Sequence, residues 1–325
     1  MESLLFAFNA LAPLMALAML GYFLWRLGLF SDDVVDVLHR FVFYVALPVL
    51  IFRAISTIDS TAVLRWDVIG FTIAMVLIVT LMGFVVAYVV GMPDDHRPVL
   101  AQIFYRGNFM LIGIPLTLRL GGDEALTTLI VLNAFIITLT NVLSIVTFRV
   151  FEAEGRLTPA GLYEMTKTSM KNPLMIAMFI GVVALVFRAP WELLMTAVTA
   201  VPDTIDLIAH TATPMALIAI GAQFRFGRVR LYARVVIIGT VSRMLVVPLL
   251  VFGVAWSLRG VIDFSGAWPA LIALFASPVA VSSVAVTRGL MGNDELASQM
   301  VLSTTAVAVV SLFVFISVMR FMALL

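Results

Sequence analysis

The sequence contains no cysteine. Disulfides, thiolate nucleophiles and thiolate-held metals are therefore excluded, and the redox compartment leaves no trace in the chain. Charge is scarce as well. Asp, Glu, Lys and Arg make up 12% of the 325 residues, where soluble domains carry about 25%. Lysine occurs only at Lys167 and Lys171, against eighteen arginines. The three histidines, His39, His96 and His210, stand far apart, and there is no HExxH helix, Walker loop, GxSxG elbow or spaced carboxylate pair. The common hydrolytic, metal-dependent and nucleotide-dependent chemistries lose their footholds, so neither an enzyme nor a cofactor is expected. A formal net charge of +1 supplies no footprint for nucleic acid, and no such partner is expected.

What the chain has instead is apolar surface: 62% of residues are hydrophobic and the mean hydropathy is +1.13. The lipid bilayer is its solvent, and the expected fold class is an all-α polytopic membrane protein. Runs long enough to cross a bilayer fall at 4–25, 34–56, 67–90, 98–118, 125–148, 173–188, 204–223, 231–257, 267–288 and 296–320, which predicts ten transmembrane helices. The first run lacks a basic n-region and is too long for a cleaved leader, so it reads as a retained span. The stretch 190–202, with Trp191 and Glu192, reads as an interfacial helix or an eleventh span. The polar connection 151–172 divides the chain into a first repeat, 1–150, and a second, 173–325. Eleven basic residues collect on the face that holds this loop and six on the other. The richer face is expected in the cytoplasm, with both termini outside a cell membrane, the inner membrane of a bacterium.

The halves echo each other. Pro13-Leu14-Met15 with Gly21 answers Pro173-Leu174-Met175 with Gly181. Pro48 answers Pro214, and Gly121-Gly122-Asp123-Glu124 answers Gly292-Asn293-Asp294-Glu295. Halves of five spans each must be inverted relative to one another, a transporter architecture. In this register the fourth and ninth spans are partners, and both are interrupted. The fourth holds Arg106, Gly107, Asn108, Gly113, Ile114 and Pro115; the ninth holds Ser277, Pro278, Ser282 and Ser283. Breakers at mid-bilayer free backbone groups that must be buried or line a wet cavity. Half-helix N-termini meeting there suit an anion, above all a carboxylate. The substrate site is therefore expected at Asn108, Gly113, Ile114, Pro115, Ser277, Pro278, Ser282 and Ser283, with Arg106, Arg243 and Asn133 as pathway or anion-attracting groups. Asn133 and Asn141 share one helix face and also read as helix–helix glue. Carboxylates stay near span ends and loops, at Asp36, Asp67, Asp123, Asp206 and Asp294, so no mid-membrane acidic relay is visible. A coupling ion is either H+ or Na+, and Na+ would rely on Asn, Ser, Thr and backbone oxygens.

Asn108-Phe109-Met110-Leu111-Ile112-Gly113-Ile114-Pro115-Leu116 resembles the fourth-helix signature of the auxin efflux carrier family, which includes plant PIN-type auxin carriers and bacterial malate or malonate carriers. Ala46-Leu47-Pro48, Asn172-Pro173-Leu174 and Thr213-Pro214 resemble its other motifs, so the resemblance spans the chain. It implies two inverted five-helix repeats with broken crossing helices 4 and 9, a sodium/bile-acid symporter-like fold. It further implies a scaffold of helices 1, 2, 6 and 7, a transport domain of helices 3–5 and 8–10, elevator-type alternating access and a homodimer. Asn108 matches the asparagine that contacts substrate carboxylate in the plant carriers. Their second crossing proline falls at Ser283, and their third-helix acidic residue has no counterpart between Val68 and Val90. The expected function is secondary transport of small carboxylates, with a sodium-coupled symporter of the bile-acid-carrier type as the alternative.

Overall fold

A computed structural model of the protein describes residues 2–57, 65–151, 173–223 and 232–325. The loop expected at 151–172 lies outside the described residues from 152 onward, as do the basic residues Arg225, Arg228 and Arg230. Every regular element among the described residues is helical. This follows from the composition: in lipid, long apolar segments must satisfy their own backbone, and a helix does so internally.

The chain runs through α1 (Glu2–Arg26), α2 (Asp32–Phe41) and α3 (Leu47–Ser56), then α4 (Trp66–Val89), α5 (Arg97–Gln102) and α6 (Ile114–Phe151). The second half holds α7 (Pro173–Val186), α8 (Arg188–Ala197), α9 (Ala200–Ala222), α10 (Ala233–Val241), α11 (Val247–Leu258), α12 (Trp268–Phe275), α13 (Ser282–Gly289) and α14 (Asp294–Phe321). Three five-residue π-helical segments, Val42–Ala46, Phe109–Gly113 and Ser242–Val246, lead into α3, α6 and α11. Each is followed two residues later by a proline: Pro48, Pro115 and Pro248. A proline ring collides with the carbonyl four residues back and donates no hydrogen bond. A wider turn placed just before it removes both conflicts while keeping the helix continuous.

Among the described residues, seven helical stretches are long and apolar enough to cross a membrane, or eight if the bent pair α7–α8 counts as one span. The shortfall from ten has a physical origin. The run expected as one helix at 98–118 is α5, then non-helical chain, then the π segment and the start of α6. That helix passes through a kink at Gly122 (φ 65°, ψ −157°) and continues as the expected fifth span. The run at 267–288 is two eight-residue helices, α12 and α13, too short to be counted singly. The stretch at 190–202 falls within α8 and the start of α9; α8 bends 96° away from α7 and buries none of its residues.

α1 packs along α9 and α3 against α7, while α12 lies on α6, α4 on α5, and α10 and α13 on α14. Gly21 and Gly221 let α1 and α9 touch backbone to backbone: a Cβ on either would run into the carbonyl of Ile218 or Ala18. Large apolar side chains such as Phe8, Phe23, Leu81, Phe179 and Val310 point outward, where lipid rather than water is the solvent.

Candidate functional site

The two interrupted stretches meet. Gly107 and Val279 form an antiparallel bridge. The Asn108 N–H donates to the Pro278 carbonyl at 2.7 Å, and the Ala280 N–H donates to the Arg106 carbonyl at 3.0 Å. Val279 N–H donates to the Thr304 hydroxyl of α14 at 3.1 Å. Non-helical backbone at this depth is thus paired mainly with other non-helical backbone, which is what permits two broken helices in an apolar interior. Gly107 is required by the close approach, because a Cβ there would lie 2.7 Å from the Leu274 carbonyl oxygen and against the Arg243 guanidinium.

A cavity of about 470 Å³ opens beside this bridge. Of the expected site residues, Arg106, Asn108 and Ser282 line it together. Further lining groups come from α2, the segment after it, α6 and the end of α9: His39, Phe43, Ile137, Thr140, Asn141 and Gln223. Asn108 caps the Phe109–Gly113 segment, its Oδ1 accepting from the Leu111 N–H at 3.3 Å. With that oxygen engaged inside the protein, the amide nitrogen is the polar group left for a ligand. Two helical starts border the cavity, at Phe109–Met110 and at Val281–Ser282, and first-turn N–H groups have no intrahelical acceptor.

Arg106 is 8% exposed and donates only to neutral oxygens: Asn141 Oδ1 at 3.1 Å, Ser144 Oγ at 3.0 Å and Ser282 Oγ at 3.4 Å. Its Nε is buried without a partner, and no carboxylate among the described residues lies within ion-pair distance. Thr140 and Thr147 extend the same polar strip on α6: the Ser144 hydroxyl donates to the Thr140 carbonyl at 2.8 Å, and Tyr105 Oη lies 2.8 Å from Thr147 Oγ1. A buried guanidinium held by neutral groups at a cavity wall keeps charged donors that an acceptor entering the cavity could use. The remaining wall, with Phe43, Phe109, Met110, Leu111, Ile137 and Val286, suits an apolar carbon body.

The other expected residues stand behind the wall. Gly113 packs on Ala273, Ile114 and Pro115 are buried, and Ser277 Oγ donates to the Ala273 carbonyl at 2.6 Å. Pro278 supplies the bridge carbonyl, and Ser283 is 1% exposed with an unpaired hydroxyl. Asn133 is buried on α6, about one turn before the lining residue Ile137, with its Oδ1 unpaired. Arg243 is fully enclosed and bonds three carbonyls on the far side of Gly107. His39 and Gln223 are the members that sequence reasoning passed over. Each sits near a helix end, where a polar residue looks interfacial, and only the packing of α2 and α9 brings them to the cavity.

No curated protein matches the chain. A family model described as membrane transport protein matches residues 6–160 and 156–316, nearly the whole chain. The chain is therefore a membrane transporter and belongs to that family, the auxin efflux carrier family.

Proposed function

We propose that the protein is a secondary transporter of small organic anions that binds the substrate carboxylate in the 470 Å³ cavity, against Arg106, Asn108 and the two helical starts. The observation that carries this reading is Arg106: a buried cation on a cavity wall whose partners are all neutral. An organic carboxylate supplies the missing counter-charge, and the apolar wall takes its carbon skeleton. The substrate class covers auxin-like acids and malate- or malonate-like dicarboxylates.

The reading counts ten spans in two inverted halves, the fourth and ninth being the broken pairs α5–α6 and α12–α13. The antiparallel meeting of Gly107 and Val279 supports that pairing. It takes helices 1, 2, 6 and 7 as scaffold and the rest as the moving body of an elevator. With both termini outside, His39, Gln223 and Asn141 fall in the cytoplasmic halves of their spans, so the cavity faces inward. Contacts between the two bodies then gather at the outer end: Arg53 with Asp123 at 3.8 Å, Arg119 with the Asn9 carbonyl at 3.4 Å, and Thr127 Oγ1 3.5 Å from the Ala54 carbonyl.

The test is an uptake panel of mono- and dicarboxylates in proteoliposomes, with sodium and proton gradients applied separately. At least one carboxylate is expected to accumulate, and Asn108→Ala is expected to abolish its uptake while the protein stays folded and monodisperse. Normal transport by Asn108→Ala would place the site elsewhere.

A further inference from the structure

Arg243 does not line the cavity, yet it is among the most enclosed side chains of the described residues, with 0% exposure. Its Nε donates to Ser277 O at 3.0 Å, and its two terminal nitrogens donate to Phe104 O and Leu274 O, both at 2.9 Å. These carbonyls belong to the C-terminal ends of both half-helices at the bridge: Phe104 follows α5, while Leu274 and Ser277 end and follow α12. No carboxylate among the described residues pairs with Arg243. Its counter-charge is the pair of helix ends, each carrying about half a negative charge.

Unwound carbonyls and half-helix C-termini are also the groups with which coupled carriers coordinate Na+. We propose that Arg243 is a tethered cation occupying that position permanently, so that the bridge is complete without Na+ and transport through this site is independent of sodium. Guanidinium suits the role. Its planar fork reaches three carbonyls at once, and it carries its charge at any physiological pH. It is anchored from a third element, the π-helical segment Ser242–Val246. Gly107 leaves room for it. A free ion comes and goes with its gradient, whereas a side chain cannot leave. The negative helix ends are thereby neutralised inside the fold, and the positive ends at Phe109 and Ser282 are left for the substrate anion.

The inference rests on the transporter reading but not on the identity of the anion, so its primary readout needs no substrate. Wild-type protein is expected to melt at the same temperature in sodium chloride and choline chloride, and any carboxylate uptake is expected to survive replacement of Na+ by choline. Arg243→Ala is expected to melt more than ~5 °C lower. Millimolar guanidinium is expected to restore at least half of that loss, and choline none. Arg243→Lys should fall between the two, because one ammonium cannot satisfy three separated carbonyls. If Arg243→Ala gives no folded protein, Arg243→Lys and the wild-type sodium comparison decide. Sodium-dependent melting or uptake of the wild type overturns the proposal. So does an Arg243→Ala variant as stable as wild type, or one whose loss guanidinium leaves untouched, which would assign Arg243 to packing alone. Absence of carboxylate uptake with these melting results intact would instead count against the substrate reading.

Discussion

Two arginines are buried near the bridge, and their partners give them opposite roles. Arg243 donates to three carbonyls at helix C-termini, so its charge is met within the fold. Arg106 donates to an amide and two hydroxyls, and its charge is not met. An unmatched charge in a membrane costs at least about 2.5–3.5 kcal/mol on insertion scales, and in the proposed function the substrate carboxylate supplies the missing partner. Replacing Arg106 by Met should therefore separate stability from activity. Loss of charged hydrogen bonds to a carboxylate, about 1.5–3 kcal/mol, should raise the KM for uptake by roughly 10–100-fold. The melting temperature should hold or rise, because a desolvated charge has been removed. A variant that transports with unchanged KM would show that Arg106 does not touch substrate. The sequence marked both arginines as intramembrane, but their difference was not legible there. It depends on which carbonyls and hydroxyls converge from segments more than 30 residues away.

At the level of elements, the breakers were the most legible feature. Gly107, Gly113, Pro115 and Pro278 announced interrupted helices; the chain unwinds at Gly107 and at Pro278, whereas Gly113 and Pro115 lie in the unbroken helical run from Phe109 into α6. The lengths were harder to read, because hydropathy cannot see a six-residue unwinding inside an apolar run or a helix that continues through Gly122 into the next span. The wide turns ahead of Pro48, Pro115 and Pro248 also escaped, although proline is their cause; Pro13 and Pro214 remain inside ordinary α-helix, so proline alone does not specify them. The bridge makes a sharp prediction about glycine. Gly107→Ala forces a Cβ to 2.7 Å from the Leu274 carbonyl oxygen and into the guanidinium of Arg243. It should destabilise by about 1–3 kcal/mol, as overpacking does. Gly253→Ala, in α11 with open space around it, should be neutral or stabilising by a few tenths to about 1 kcal/mol. Melting curves of the two variants in one detergent make the comparison, and equal curves would mean that the close approach at Gly107 is not real.

At the scale of the molecule, the internal echo of Pro13-Leu14-Met15 in Pro173-Leu174-Met175 pointed to two related halves, and the family model covers both. The cavity was only half legible, because His39 and Gln223 reach it through packing of α2 and α9 that no local pattern encodes. If the body bearing α6 slides against the scaffold bearing α3, contacts at the closed outer end must break in every cycle. Thr127 on α6 and the Ala54 carbonyl on α3 are such a contact, 3.5 Å apart. The absence of cysteine gives a clean background for tying them together. Ala54→Cys with Thr127→Cys, joined by a short bis-methanethiosulfonate linker, should lose uptake, and reduction with dithiothreitol should restore it. Each single-cysteine variant should transport normally with or without the linker. The linker is much shorter than a displacement that carries a site across a bilayer, so a linked protein that still transports at the wild-type rate would rule out sliding of these two bodies. The cavity would then have to open outward by local rearrangement around Asn108 and Ser282 while α3 and α6 stay in place.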